Sequence, residues 1–329
     1  MCAIVVSYRS GEALRQCLRS LFQQSTKVEV VVVDNSPDDG NCRLVAAEWP
    51  QVRVVGAGAN LGYAAGANLG AAATSSELLV FLNPDVILDP GCLAALQCAL
   101  ANGAGVAGPV LQVGATGRAE YGATLNHLGM PTALRAPGNL PLYVSGAILA
   151  SPRRVFEAVG GFDDRYFMFV EDVEYCWRVL STGLDVVCCG AARAWHRGGA
   201  VAAGGYPLER RPYETSGMRV SYRERNTIAL FLSCAPVHWL PVVVPTLVGR
   251  SLALSAAAVV MRRPDVARGC LRGLVWNVVN LRQTLTRRRK LARSPAGDRA
   301  VLQRMSHEPV LLRTLARHWP PRIIGDHRP

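Results

Sequence analysis

Five acidic or imidazole side chains stand where residue type and context could do chemistry: Asp34, Asp85, Glu171, Asp172 and His196. Asp85 closes the run Leu78-Leu79-Val80-Phe81-Leu82-Asn83-Pro84-Asp85, whose apolar part predicts a strand buried on both faces, as in a parallel sheet. Ligands of open α/β sheets bind beyond the carboxyl ends of the strands. Asp85 is therefore expected at the mouth of the sheet, where a carboxylate can hold a divalent cation against a phosphate. Asn-Pro-Asp is also good turn chemistry, and one carboxylate is a weak metal site unless a second ligand and a diphosphate join it. Asp34 ends a second apolar run at the same sheet edge, where it can accept hydrogen bonds from a base or ribose hydroxyl. Asp34-Asn35-Ser36-Pro37 reads equally as a turn. Glu171-Asp172 follows the aromatic-rich stretch 162–169 and opens a helix pattern. Acidic residues favour a helix N-terminus, so a cap is one reading. The other is a general base, because an apolar setting raises a carboxylate's pKa. His196 follows a predicted strand and reads either as a structural histidine or as a nitrogen ligand or phosphate contact.

The elements that must position these groups alternate regularly. Strands are predicted at 3–6, 28–33, 52–55 and 78–85, with helices near 14–21, 42–49 and 62–73 between them. That β-α-β-α-β-α-β order predicts a parallel, right-handed wound sheet with helices on both faces. Asp89-Pro90 predicts a helix start. Residues 103–141 are Gly- and Pro-rich and loosely patterned, which suggests a functional or flexible segment. A strand is predicted over 143–150, a helix from Ser151-Pro152 to about Gly160, another over 171–180 and a strand over 186–189. The segment Asn60-Leu61-Gly62-Tyr63-Ala64-Ala65-Gly66-Ala67-Asn68 is a phosphate-type glycine pattern without Gly-x-Gly-x-x-Gly, and its glycines also suit close helix-on-sheet packing.

At 329 residues the chain suits one large or two smaller domains. Its net charge of +12 is unevenly spread: residues 1–261 are neutral, and the whole excess lies in 262–329. Residues 226–249 contain no Asp, Glu, Lys or Arg. A bilayer crossing needs about 20 residues, but Pro236, Pro241, Pro245 and His238 interrupt this stretch. A crossing would also place the basic tail opposite a cytosolic site, against the positive-inside bias. Helices in the membrane interface, or a re-entrant hairpin, followed by an electrostatic anchor on an anionic membrane surface fit better; a buried core helix pair is the alternative. No helix-turn-helix, zinc-finger or aromatic RNA-binding signature accompanies the basic tail, which argues against nucleic acid. The ten cysteines lack Cys-x-x-Cys spacing and read as small core residues in a reducing compartment. With no basic, apolar leader before the first strand, no cleavable signal and a cytosolic body are expected.

Read in order, Val5-Val6-Ser7-Tyr8, Val33-Asp34-Asn35-Ser36, the 60–68 segment, Leu82-Asn83-Pro84-Asp85 and Gly160-Gly161-Phe162-Asp163 form a set with Phe167-Met168-Phe169-Val170-Glu171-Asp172, Trp195-His196 and Tyr222-Arg223-Glu224-Arg225-Asn226. Over roughly residues 3–230 this set resembles family 2 glycosyltransferases of the GT-A fold, most closely the bacterial rhamnosyltransferase-like subgroup. The resemblance implies an α/β, Rossmann-like, mainly parallel sheet flanked by helices, with a catalytic domain over 1–215 and a helical, membrane-associating, basic region over 216–329. It implies inverting transfer from a nucleoside-diphosphate sugar, with L-rhamnose from dTDP-L-rhamnose as donor. The implied acceptor is a polyprenyl-diphosphate-linked N-acetylglucosamine at the cytoplasmic face of the cell membrane. Tyr8 and Asp34 would hold the nucleoside, with Gly66 and Asn68 in the nucleotide-sugar site. Asp85 would bind Mg²⁺ or Mn²⁺ on the diphosphate, His196 would add a metal or diphosphate contact, and Asp172 would be the general base, with Glu171 the second candidate. The chain departs from the family's usual Asp-x-Asp, which reads Asn83-Pro84-Asp85, and from Gly-Gly-Phe-Asp-Glu, which ends Asp163-Asp164. Another sugar, such as galactofuranose or mannose, and a non-catalytic nucleotide-sugar-binding or scaffold protein are the rival readings.

Overall fold

The computed structural model describes residues 1–114, 117–197, 214–306 and 322–323. The Gly198-Gly199 pair after His196 and the tail residues 307–321 and 324–329 lie outside the described residues. The described residues fall into two compact units. One draws on Met1–Thr124, Ala133–Val201 and Arg293–Arg304, and the other on Leu125–Thr132, Ala202–Ala292 and Met305–Pro329.

In the first unit, β1 (Cys2–Ser7), α1 (Gly11–Phe22), β2 (Glu29–Asp34), α2 (Asn41–Glu48), β3 (Arg53–Gly56), α3 (Gly62–Ala72) and β4 (Leu78–Leu82) follow the predicted alternation. The strands align in the order β3-β2-β1-β4 and all run parallel. β1 is buried along its whole length, which is why its sequence shows a continuous apolar run and no alternation. Its Ala3 and Val5 join Leu14, Leu18 and Leu21 of α1 and Val30 and Val32 of β2 in the core. Each such fully buried aliphatic contributes about 1.5–3 kcal/mol.

Beyond β4 the sheet stops being purely parallel. β5 (Val86–Leu88), α4 (Cys92–Ala101), β6 (Val106–Val113), β7 (Arg118–Glu120), β8 (Ala123–Leu125), β9 (Pro131–Ala133), β10 (Ile148–Pro152), α5 (Arg153–Ala158), α6 (Glu171–Ser181) and β11 (Val186–His196) follow. The nine-stranded sheet continues β4-β10-β6-β11-β5, with β7 on β6. β10 is antiparallel to β4 and β6, β5 to β11 and β7 to β6, while β6 and β11 are parallel. The loosely patterned 103–141 stretch thus contains an eight-residue strand, β6. Its two buried faces hide the period-2 signal, and Gly108 lies so close to Val144 that a Cβ would come within 2.6 Å of the valine.

Several boundaries also move. α4 starts at Cys92 after Gly91 at φ 79°, not at Asp89-Pro90, because the left-handed turn at Gly91 sets the helix direction. Ser151 belongs to β10 and gives its hydroxyl to the Gly105 carbonyl at 2.8 Å instead of capping α5. β10 begins at Ile148, not at 143, because the chain turns at Ser145, whose carbonyl accepts from the Ile148 N–H. β11 runs to His196, well past Cys189, across an irregularity between Cys189 and Arg193.

The second unit is helical: α7 (Gly217–Cys234), α8 (Leu240–Val260), α9 (Pro264–Val279) and α10 (Leu281–Lys290). α11 (Pro295–Arg304) belongs to the first unit. α8 continues through Pro245, and the break expected in this apolar stretch falls at Pro236, between α7 and α8.

Candidate active site

The carboxyl ends of β1, β2 and β4 form one edge, with Ser7 in register with Asp34 and Val5 with Leu82. The β1–β4 boundary is where the winding direction reverses, the place where open α/β sheets receive ligands. Asp34 ends β2 there, and its Oδ1 accepts the Ser36 N–H at 3.0 Å, so the carboxylate closes its turn and still stands at the edge. Tyr8 follows β1, its N–H donating to Ser10 Oγ at 3.2 Å. The adjacent Arg9 takes φ 49° and donates its backbone N–H to Ser36 Oγ at 3.0 Å, tying the β1 loop to the β2 loop.

Asp85 does not end β4. The strand stops at Leu82, and Asn83 donates its N–H to the Ala147 carbonyl at 2.8 Å. Pro84 has no N–H to continue the ladder, so Asp85 sits in a turn that swings β5 across to β11. In that antiparallel pair Val86 is opposite His196, which brings the two candidate ligands together. His196 Nε2 lies 3.3 Å from Asp85 Oδ1, and the Arg197 N–H donates to the Asp85 carbonyl at 3.2 Å. Both side chains are largely buried, and His196 Nδ1 is a buried atom with no hydrogen-bond partner among the described residues. Among the described residues no cluster of three His, Cys, Asp or Glu side chains forms. The chain therefore offers a carboxylate and an imidazole, a partial donor set that suits a hard cation completed by phosphate oxygens and water.

Glu171 and Asp172 open α6, reached through Phe167, Phe169 and Val170, all at positive φ (62°, 66° and 72°). Non-glycine residues in this region each cost about 1–3 kcal/mol and persist where the surroundings over-determine them. Two anchors do so here. Tyr63 at the start of α3 donates its N–H to the Phe167 carbonyl at 2.6 Å, and Gly62 lies so close to Phe167 that a Cβ would overlap it. The N-terminus of α3 is thus spent on the 167–170 loop.

The two acidic neighbours end in different surroundings. Asp172 Oδ2 accepts the Gly146 N–H at 2.7 Å, and its Oδ1 accepts the Val173 N–H at 2.8 Å. Glu171 is buried, and its Oε2 has no hydrogen-bond partner among the described residues. Burial first, and the Asp172 charge second, hold the Glu171 carboxyl well above the usual carboxylate range. Tyr63 donates its hydroxyl to the Gly146 carbonyl at 2.7 Å. Burial and then the charges of Glu171 and Asp172 push the Tyr63 phenol up, so it remains a donor.

Gly66 and Asn68 lie farther along α3 and are engaged in packing. A Cβ on Gly66 would come within 2.8 Å of Val6 and 3.2 Å of Asn35 Nδ2. Asn68 donates to the Phe162 carbonyl at 2.9 Å and accepts the Phe162 N–H at 3.0 Å, clamping the loop that leads to Phe167. Tyr63 and Gly146, absent from the sequence-derived set, join the segment 145–147 to both halves of the site: Ala147 to Asn83, and Gly146 to Asp172. Tyr63 lay inside the glycine segment already singled out, whereas nothing local marks Gly146. Glu120, on β7, is also buried, and burial raises its pKa despite an ion pair to Arg135 at 3.0 Å.

The family model described as glycosyl transferase family 2 matches residues 2–160. A similar protein is N-acetylglucosaminyl-diphospho-decaprenol L-rhamnosyltransferase of Mycobacterium tuberculosis (strain CDC 1551 / Oshkosh), 31% identical over 228 residues that cover 59% of this chain and 74% of the relative. Among solved structures, GalNAc-T7 with UDP, GalNAc and Mn²⁺ superposes with a TM-score of 0.62 at 13% identity, covering 98% of this chain and 58% of that one. The mannosyltransferase of Pyrobaculum calidifontis in complex with GDP-Man and Mn²⁺ gives a TM-score of 0.51 at 18% identity, covering 92% and 86%. At these identities the two structures establish a shared GT-A architecture.

Proposed function

The chain belongs to glycosyl transferase family 2, and from that premise we propose that it is an inverting glycosyltransferase carrying L-rhamnose from dTDP-L-rhamnose to a polyprenyl-diphosphate-linked N-acetylglucosamine at the cytoplasmic face of the membrane. The observation that carries the reading is the joining of two half-sites through residues 145–147. Ala147 holds the turn before Asp85, and Gly146 holds the Asp172 carboxylate. The name of the similar mycobacterial rhamnosyltransferase supports L-rhamnose as the sugar and a polyprenyl-diphosphate N-acetylglucosamine as acceptor; dTDP as the carrier is part of the proposal.

In this mechanism Tyr8 and Asp34 hold the nucleoside at the ends of β1 and β2. Gly66 and Asn68 serve the donor site one layer back, by seating α3 and the 162–164 loop. Asp85 and His196 are the residues that would hold Mg²⁺ or Mn²⁺. When bound, such a cation offsets the charge that builds on the departing diphosphate. Asp172 accepts the proton of the acceptor hydroxyl while that oxygen bonds to the anomeric carbon and the bond from that carbon to the diphosphate breaks. Attack from the side opposite the leaving group inverts the centre. Burial raises the pKa of the neighbouring Glu171, which disfavours a second charge beside Asp172.

The test is transfer by the purified full-length protein with Mg²⁺ or Mn²⁺, a short polyprenyl-diphosphate N-acetylglucosamine and dTDP-rhamnose, UDP-galactofuranose or GDP-mannose. Rhamnose transfer that falls about 10²–10⁴-fold in Asp172→Asn, with nucleotide binding retained, is expected. Unchanged turnover in that variant would remove Asp172 from the base role. Transfer from a different donor overturns the rhamnose assignment alone. Nucleotide binding without transfer from any donor favours the scaffold reading.

A further inference from the structure

We infer that the outward face of α8 and α9 docks on an anionic phospholipid bilayer, with α8 lying along the membrane plane and not crossing it. The inference concerns the helical unit alone and does not depend on the transfer reaction.

The carrying observation is that α8 is apolar on its open side, while its packed side mixes the buried Val243, Leu247 and Ala258 with polar groups. Inward, Ser251 and Ser255 are buried, Ser251 Oγ donates to Glu224 Oε2 at 2.5 Å, and Arg250 pairs with Glu224 at 2.8 Å. Outward, Val242 is 69% exposed, Leu252 49%, Val259 64% and Val260 84%, and Val237, in the turn before α8, is 68% exposed. A surface helix of a soluble core presents charged and polar residues on its open face, whereas that of α8 carries no charged residue. The 24 residues Val237–Val260 are long and apolar enough to cross a membrane, yet only 28% of their most apolar window is buried. An exposed apolar surface that runs the length of a helix marks an interaction site.

α9 supplies the charge. It packs inward through Val266, Ala267 and Cys270. Its open face carries Arg268, Leu271, Arg272, Val275 and Val279, positions three or four apart that share one side of a helix. With Trp276 these residues line a concavity of about 470 Å³. Among the described residues, Arg262, Arg268, Arg272 and Arg282 have no ion-pair partner. Cations of this kind beside a chargeless apolar stripe match the phosphate level and the acyl boundary of a bilayer. A protein partner fits less well, since the α8 stripe is Val, Leu, Ala and Pro without the aromatic anchors that concentrate at protein interfaces. A crossing is disfavoured because the Glu224–Arg250 pair and the helices α7 and α9 occupy the other side of α8, and burying that ion pair in hydrocarbon is costly.

The experiment is flotation of the full-length chain with vesicles of phosphatidylcholine alone and with one-third phosphatidylglycerol. Binding to the anionic vesicles is expected. Arg268→Glu with Arg272→Glu is expected to weaken it by more than about ten-fold, since each arginine near an anionic surface accounts for roughly five-fold. Val242→Asp with Val260→Asp, both at exposed positions, is expected to abolish flotation while the melting temperature holds. A C-terminal epitope is expected to stay open to protease added outside the vesicles. Absence of flotation by the parent chain overturns the inference, and so does flotation unchanged in both variants. Protection of the epitope overturns the in-plane arrangement. A dimer in solution that Val242→Asp with Val260→Asp converts to monomer, with flotation unaffected, would instead make this face a contact between copies of the chain.

Discussion

At the level of single side chains, Glu171 and Asp172 are adjacent in sequence and opposite in surroundings. Asp172 accepts backbone N–H groups from Gly146 and Val173, whereas Glu171 is buried with an unpartnered oxygen and a raised pKa. Because the Glu171 pKa is raised on folding, the native state holds that proton more tightly than the unfolded chain. Stability therefore falls as pH rises from the ordinary glutamate range toward the folded pKa, by at most about 1.4 kcal/mol per pH unit. Glu171→Gln keeps the neutral shape and removes the titration. Its melting temperature should exceed the parent's above the ordinary glutamate pKa, with the gap widening as pH rises; parallel curves would refute the assignment. Gly146→Ala tests the other partner. Its Cβ would stand 3.1 Å from Asp172 Cβ, displacing the carboxylate. Turnover should drop about 10²-fold while nucleotide affinity, read by calorimetry, is retained.

At the level of elements, the site is set by how α3 meets its neighbours. Gly62, Gly66 and Gly70 repeat every four residues and share one face; Gly66 meets Val6, and Gly70 meets Ile4 and Val33. Without that close seat the N-terminus of α3 could not reach the Phe167 carbonyl, and the run of positive φ before Glu171 would lose its anchor. Gly62→Ala combines a left-handed backbone, φ 79°, with overlap on Phe167. It should cost about 1–3 kcal/mol or more, seen as a lower melting temperature, together with reduced turnover. A variant as stable and active as the parent would show that the 167–170 loop does not depend on this contact.

For the whole molecule, the basic stretch after residue 261 is divided between the two units, and α11 lies in the first. Ser294 donates its N–H to the Ser181 carbonyl at 2.8 Å, and Gly297 packs against the carbonyls of Leu180 and Ser181 at the end of α6. Arg304 is buried and holds Asp185 at 2.6 Å, the Val186 carbonyl at 3.2 Å and the Pro141 carbonyl at 3.3 Å. Hydrogen bonds from a charged donor are worth about 1.5–3 kcal/mol, so Arg304→Ala should lower stability by roughly 2 kcal/mol or more in denaturant unfolding. A chain ending at Ala292 should melt below the full-length protein even with nucleotide bound, and an unaltered midpoint would show that α11 is dispensable.

The sequence by itself determined the alternation of β1 to β4, because strands buried on both faces, such as β1, announce themselves as apolar runs and α1 carries a 3.6-residue stripe. It also placed Asp34 at a strand end and Glu171-Asp172 at a helix start, whereas Asp85, expected at the end of β4, lies in the turn before β5. Tertiary structure alone decided which of these meet. Asp85 and His196 are brought together by an antiparallel pairing between β5 and β11, and Asp172 is held by a glycine 26 residues away. Long-range pairings and close glycine approaches leave no local period in the chain. The same holds for α8: its composition made it apolar, but only packing showed that Val242, Val259 and Val260 stay exposed while Ser251 and Ser255 are buried.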